Sequence, residues 1–260
     1  MNFSKRSYQK ELLDRDDIPF EDIKQNMKEL DFINTRLGGH NITLQAVRAM
    51  ISNIRNGSKR KDEAISILEI GCGGGDNLRV IKNDCERKNI KVELAGVDIN
   101  PHCIEFAGSR KENAGILFYT SDYKLLRLEQ KPDIIFNSLF CHHFDDQEVV
   151  EIMKWMTANC RVGFFISDLH RHPFAYYSIK WLTTFFSKSY LVKNDAPLSV
   201  LRGFRRKELK MFSTRAFNRV LTELSDNEQC SPGSPDSYRD RDNVQLKWKW
   251  AFRWLLVFQH

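Results

Sequence analysis

Apolar positions recur along this chain at two spacings, and each spacing predicts a different element. Over residues 8–56 they fall three to four apart, with Ile23, Met27, Leu30 and Ile33, then Ile42, Leu44, Val47, Met50 and Ile51. That spacing lines one face of a helix, and Gly38-Gly39 divides the stretch in two. Residues 64–70 form instead a short β-branched run closed by Gly71, the pattern of a strand buried on both faces. Residues 92–97, 116–119, 134–137 and 162–167 read the same way, with helical patterns at 77–88, 101–111 and 146–158 between them. Strands that alternate with helices pair in parallel through right-handed crossovers, so the fold class is α/β with a doubly wound sheet. In such sheets ligands sit at the carboxyl ends of the strands.

After residue 167 the alternation stops. Residues 173–192 read as one helix with Phe174, Tyr177, Trp181 and Phe185 on one face, placed to close an apolar chamber. A basic stretch at 202–210 leads into another helix to about residue 224. Residues 226–243, with Pro232, Gly233 and Pro235 among many charges, read as a flexible loop. Alternation returns at 244–249 and 252–258, which predicts a terminal antiparallel hairpin. The expected organisation is an N-terminal helical cap at 1–60 and a main domain at 61–260, with a helical lid inserted at 173–212 after the fifth strand.

At 260 residues, 42% apolar and 28% charged, the chain is long enough for one packed core and is neither fibrous nor disordered. A net charge of +6 admits acidic ligands but lacks the concentrated basic patch of a dedicated nucleic-acid binder. The six cysteines form no CxxC pair and no regular framework, so reduced thiols and a cytoplasmic location are expected. No run approaches the roughly 18 apolar residues of a membrane span, and no apolar signal core follows the first charges.

The segment Glu69-Ile70-Gly71-Cys72-Gly73-Gly74-Gly75-Asp76 joins the first buried strand to a helix, where a glycine loop brings backbone N–H groups against a ligand. A side chain at Gly71 or Gly73 would hold that ligand away. An acid at Glu69 opposes a phosphate and attracts an ammonium. The dinucleotide fingerprint requires glycine at the first, third and sixth positions; the sixth is Asp76 counted from Gly71 and Leu78 counted from Gly73. Asp98, followed by Ile99, ends the next strand, where a carboxylate accepts both hydroxyls of a ribose. Asp122 and Tyr123 follow the strand after it, an acid for an adenine amino group and a ring for its face. An adenosine with a cationic, non-phosphate tail fits all three.

In their order and spacing these motifs, with the segment Pro132-Asp133-Ile134-Ile135-Phe136-Asn137, resemble those of class I S-adenosylmethionine-dependent methyltransferases, over residues 60–170 and again at the terminal hairpin. The resemblance implies a Rossmann-like seven-stranded sheet with its last strand reversed, and S-adenosylmethionine as the cofactor. It assigns Gly71 and Gly73 to the methionine end, Asp98 to the ribose, Asp122 to the adenine and Asn137 to the wall beside the sulfonium. Glu69, Cys72, Ile99, Tyr123 and Ser138 complete the expected cofactor contacts.

Two further segments, 139–144 and 167–172, follow strands at the same ends. Similar His-His and post-strand Asp positions occur in small-molecule O-methyltransferases of this class, which makes His142, His143 and Asp168 the catalytic candidates. Imidazole takes the proton as a hydroxyl attacks the methyl group, and a carboxylate orients the ring. Either histidine suits the base role. No metal is expected, because the histidine spacing matches no zinc pattern. Methylases of exocyclic base amines carry Asn or Asp before Pro-Pro-aromatic, whereas here Asn137-Ser138-Leu139-Phe140 stands. The expected partner is therefore a small, aromatic or apolar acceptor, with neither nucleic acid nor a membrane span. The segments around 11–34 and 195–204 resemble a bacterial subgroup associated with polyketide, phenolic or quinone-like products, hence secondary metabolism. Arg36 is a candidate for the methionine carboxylate, and Arg202, Arg205 and Arg206 for an acidic group of the substrate. Two alternatives stay open: a non-catalytic adenosylmethionine-binding regulator and a nicotinamide-dependent oxidoreductase.

Overall fold

The computed structural model describes residues 2–15, 17–57, 63–217 and 244–260. The expected loop at 226–243 and the expected helix beyond 217 lie outside the described residues. Seven strands form one sheet: β1 (Ile65–Ile70), β2 (Val92–Asp98), β3 (Leu117–Thr120), β4 (Ile134–Ser138), β5 (Gly163–Leu169), β6 (Val244–Lys249) and β7 (Arg253–Gln259). Their order is β3-β2-β1-β4-β5-β7-β6. β1 to β5 pair in parallel, and β7 runs antiparallel to both of its neighbours.

Successive strand residues point to opposite faces, and both faces are covered. Ile65, Ile67, Ile134, Phe136, Phe165 and Leu255 pack toward α2 (Gly39–Gly57) and α3 (Asp76–Arg87). Leu68, Ile70, Ile135, Phe164, Ile166 and Leu256 pack toward α5 (Asp146–Asn159) and α8 (Arg206–Phe217). α4 (Pro101–Ser109) joins the first layer through Ile104, and its start is set by Asn100, whose side chain accepts from the His102 N–H, with Pro101 at the first helical position. α5 opens on a reciprocal capping box between Asp145 and Glu148.

Three boundaries differ from the sequence expectation. α2 buries Ile42, Val47, Met50 and Ile51 in the core of the sheet itself, so the helical cap over the site is only α1 (Phe20–Arg36) and the segment before it. The helix expected at 173–192 is two, α6 (Pro173–Phe186) and α7 (Tyr190–Arg202). Between them Glu29 of α1 accepts hydrogen bonds from the Lys188 and Ser189 N–H groups, and Ser189 caps α7 through the Val192 N–H. Periodicity alone cannot register such a break, because both halves keep helical spacing. α8 buries Leu209 and Phe212 beside α5, so the lid ends at Arg202 rather than at 212.

The aromatic stripe of α6 also departs from its expected role. Phe174 lines the cavity described below, whereas Tyr177, Trp181 and Phe185 are 58%, 60% and 66% exposed and face outward. The inner face of α6 is built instead by smaller residues, among them Ala175, Ile179 and Leu182.

The reversed strand depends on a glycine. A Cβ at Gly163 would stand 2.2 Å from the carbonyl oxygen of Phe258 on β7. Backbone has little freedom to give way, so Gly163→Ala is expected to destabilise the chain by about 3 kcal/mol. A urea-denaturation midpoint equal to that of the unmutated chain would refute this close approach.

Candidate active site

A cavity of about 730 Å³ opens at the carboxyl ends of β1, β2, β4 and β5, roofed by α1, α6 and α7. On its floor Gly71 adopts φ +67°, and a Cβ there would fall 2.0 Å from the Phe140 ring. Glycine is thus required twice over, by the turn and by the ring packed on it.

Three N–H groups of the expected donor ledge are taken within the fold. The Gly71 and Cys72 N–H groups both donate to the Val97 carbonyl, at 2.8 and 3.1 Å, and the Gly73 N–H donates to Asp98 Oδ2 at 2.9 Å. At these three positions the loop gives a ligand space rather than hydrogen bonds. Asp76 moreover places an acid in the first turn of α3, where a pyrophosphate would seek the positive helix end. That charge does not suit the pyrophosphate of a nicotinamide dinucleotide.

Asp98 lines the cavity and accepts from the Gly73 and Asn100 N–H groups, one on each oxygen, both at 2.9 Å. Burial pushes its carboxyl up, against the pull of those two bonds. A carboxylate has about four lone-pair sites, which leaves room for a diol. Ile99, 72% exposed, stands at the cavity rim, and Ser138 lines the wall. Cys72 contributes to the wall through its place in the loop, while its thiol packs against Gly96 in the core.

Glu69 is buried at the same end. Its Oε1 accepts from Asn77 Nδ2 at 2.9 Å, and its Oε2 has no hydrogen-bond partner among the described residues. Burial, with Asp76 nearby, holds the carboxyl well above its ordinary range. An unpartnered buried carboxyl oxygen facing this cavity suits a cationic group, which is the fit expected for the ammonium of a methionine tail.

Asp122, Tyr123 and Asn137 do not line this cavity. Asp122 caps the turn that follows it, accepting from the Lys124 N–H at 2.9 Å. The Tyr123 ring is buried edge-on against Trp155 and Phe140, and Asn137 is wholly buried, its Oδ1 accepting from the Cys141 thiol at 3.3 Å.

The catalytic candidates do come together. His142 Nδ1 lies 2.8 Å from Asp168 Oδ1, and its backbone N–H donates to Asp168 Oδ2. Its Nε2 faces Glu11 Oε1 at 3.5 Å. His143 Nδ1 lies 3.0 Å from Asp14 Oδ1, and its Nε2 is 3.8 Å from Glu11 Oε2. Both rings line the cavity. Glu11 and Asp14 arrive from the N-terminal segment around the single-turn helix Leu12–Asp14. That segment is itself held by Asp195 of α7, whose carboxylate accepts from the Leu12 and Leu13 N–H groups at 2.8 and 2.9 Å. None of these acids was singled out by sequence; only their segments were.

Burial disfavours the His142 imidazolium, but the charges of Asp168 and Glu11 outweigh it and raise its pKa to about 9. Asp168, for which burial favours the neutral form, is held below its ordinary range by that same imidazolium. A histidine whose folded value is raised adds stability that is complete below its ordinary value near 6.5 and disappears as pH climbs through about 9. On the order of 2–3 kcal/mol is involved. The urea midpoint should thus fall from neutral pH toward about pH 10, and a midpoint constant over that range would contradict the buried pairing.

The ligating atoms of Glu11, His142 and His143 lie within 4.8 Å of one another, as do those of Asp31, His40 and Asp76. Each group already has a guanidinium beside it, Arg202 Nε at 3.8 Å from Glu11 and Arg79 Nη2 at 2.5 Å from Asp31. Arg202 is buried and donates to the His142 carbonyl at 2.9 Å. Arg36 is exposed and stacks on Phe32, outside this cavity.

Residues 67–163 match a family model described as a methyltransferase domain. No curated protein sequence matches the chain. Among solved structures, the plantazolicin methyltransferase BpumL, in complex with a monoazolic desmethylPZN analogue and SAH, superposes with a TM-score of 0.57 at 15% identity, covering 92% of this chain and 99% of that one. The magnesium protoporphyrin IX methyltransferase of Synechocystis PCC 6803 with bound SAM gives 0.51 at 9% identity, over 87% and 82% of the two chains. A putative O-methyltransferase from Nostoc punctiforme PCC 73102 gives 0.53 at 11% identity, over 92% of this chain and 60% of that one. At these identities the likeness is one of fold. Residues 67–163 thus match a methyltransferase domain, and they lie within a sheet of Rossmann-like methyltransferase topology.

Proposed function

We propose that the protein transfers a methyl group from S-adenosylmethionine to a hydroxyl of a small, flat or apolar acceptor, with His143 as the general base. The observation that carries this reading is the placement of one acid-backed histidine pair in the wall of the cavity that also holds the glycine loop, Asp98 and Glu69. Solved structures of the same fold hold SAM or SAH, in keeping with that cofactor.

Bound along Gly71, Asp98 and Glu69, adenosylmethionine supplies the methyl group on a sulfonium that needs no further activation. His142, with Asp168 on one nitrogen and Glu11 facing the other, is charged at neutral pH and holds the two acids in place. His143 donates its Nδ1–H to Asp14, which leaves the Nε2 lone pair for the acceptor hydroxyl. Transfer is an in-line displacement, so positioning by the cavity walls and exclusion of water do the rest. The mostly apolar lining, with Ile18, Met27, Leu30, Phe144 and Phe174, suits a phenolic or oily acceptor better than a nucleic acid or a free sugar. The positive charge beside Glu11 in this arrangement is that of Arg202. The five described cysteines are free and buried, in keeping with a cytoplasmic enzyme.

Turnover tests the reading directly. Incubation with adenosylmethionine and a panel of phenols and naphthols should release adenosylhomocysteine and yield methyl ethers. Methylation on carbon or nitrogen alone would remove the role given to His143. Tight cofactor binding without turnover on any acceptor would favour a regulator.

A further inference from the structure

The cavity contains a second buried charge that the proposed reaction leaves unused. Arg253, the first residue of β7, is 3% exposed and lines the cavity opposite Leu169 of β5. Its Nη2 donates to Asn34 Oδ1 at 2.7 Å, while Nη1 has no hydrogen-bond partner among the described residues. The nearby acids are committed elsewhere, Asp76 to His40 at 2.7 Å and Asp168 to His142 at 2.8 Å. Room for the guanidinium is provided by Gly39, where a Cβ would lie 3.0 Å from Nη2. Among the described residues no carboxylate forms an ion pair with it.

A buried guanidinium without a counter-charge is unfavourable, and its planar fork matches a carboxylate. Its aim is fixed from the far side, since Asn34 bonds Arg253 through Oδ1 and Asp76 through Nδ2, at 3.3 Å. Asp76 and Asn77 open α3, and Asn77 holds Glu69. The free Nη1 of Arg253 and the free Oε2 of Glu69 are therefore linked through neighbouring residues of one helical turn, with opposite charge types in a single cavity.

We infer that Arg253, aligned by Asn34, is a carboxylate-binding subsite of this cavity. Two sources supply that chemistry. One is the α-carboxylate of the cofactor, whose ammonium then meets Glu69; this source rests on the adenosylmethionine reading above. The other is a carboxylate on the acceptor, which does not.

The test is titration calorimetry on wild type, Arg253→Met and Arg253→Lys with four probes. Adenosylhomocysteine is compared with 5′-methylthioadenosine, which keeps the nucleoside and thioether but lacks the amino-acid end. 3-Hydroxy-2-naphthoate is compared with 2-naphthol. Arg253→Met should weaken one carboxylate-bearing probe about tenfold or more and leave its uncharged counterpart unchanged, with partial recovery in Arg253→Lys. Selective loss of adenosylhomocysteine identifies the cofactor as the source, and selective loss of the naphthoate identifies the acceptor. Because methionine removes an unpaired buried charge, the variant should melt no lower than wild type. The inference is overturned if Arg253→Met binds all four probes as wild type does, if it loses charged and uncharged probes alike, or if wild type prefers neither carboxylate. Wild type that ignores adenosylhomocysteine but holds the naphthoate through Arg253 would defeat the cofactor reading and leave the subsite standing.

Discussion

Asp98→Ala should weaken binding of adenosylhomocysteine by about 1–3 kcal/mol, the value of charge-assisted hydrogen bonds lost from a buried site. The carboxylate acts twice. It faces the cavity, where the proposed reading gives it the ribose diol, and it anchors the Gly73 N–H and so the shape of the glycine loop. Asp98→Asn, which keeps the volume and one carbonyl oxygen, should retain part of the affinity. Calorimetric titration measures both. His143→Ala serves as the control, because its ring lies at the acceptor end and should leave cofactor affinity nearly unchanged. Equal loss in the Asp98 and His143 variants would dissolve the division of labour drawn here, and an undiminished Asp98→Ala would remove the ribose assignment.

His143→Ala should lower kcat by about 10²- to 10⁴-fold, the usual contribution of a positioned general base. Asp14→Asn, which keeps a partner for Nδ1 but removes its charge, should cost less and should alter the pH profile of kcat rather than the KM. The His142 ring is different in kind. With Asp168 on one side and Glu11 on the other, its loss strands two buried acids, so a His142 variant should suffer first in stability. Single-turnover rates at saturating cofactor separate these cases. A His143→Ala enzyme as fast as wild type would pass the base role to another group, and a His142 variant that is stable but inactive would reverse the two assignments.

Much of the site was legible because its residues lie at strand ends. A β-branched run closed by Gly71, a strand ending in Asp98 and the pair His142-His143 after β4 each carry their position in local sequence. The alternation that buries a strand on both faces also fixes which end of it meets the ligand. What local sequence does not carry is the partner of each group. Glu11 and Asp14 stand in an N-terminal segment whose local sequence names no partner for either, and Asp14 meets His143 across 129 residues of chain. Asn34 and Arg253 are 219 residues apart. Arg36, placed by sequence just before the glycine pair as a candidate for the methionine carboxylate, is turned outward onto Phe32 by helical phase, which turns Asn34 inward.

The glycine loop makes the same point from the other direction. Its sequence implied open N–H donors, but hydrogen bonds to Val97 and Asp98 consume those of Gly71, Cys72 and Gly73. A backbone donor is claimed by the acceptor that folding brings nearest, here the Val97 carbonyl and the Asp98 carboxylate of β2. Asp122 and Tyr123 likewise satisfy local needs, a turn and an aromatic core, before any adenine.

By itself, then, the sequence determined the alternating elements, the parallel sheet, the acid at the end of β2 and the histidine pair after β4, since each depends on period and neighbours within a few residues. Tertiary structure decided the charge state of His142, the arrival of Glu11 and Asp14, the outward turn of the α6 aromatics and the bare nitrogen of Arg253. Those properties arise from burial and from distances across the fold, and desolvation acts on a group only once chain segments far apart in sequence have closed around it.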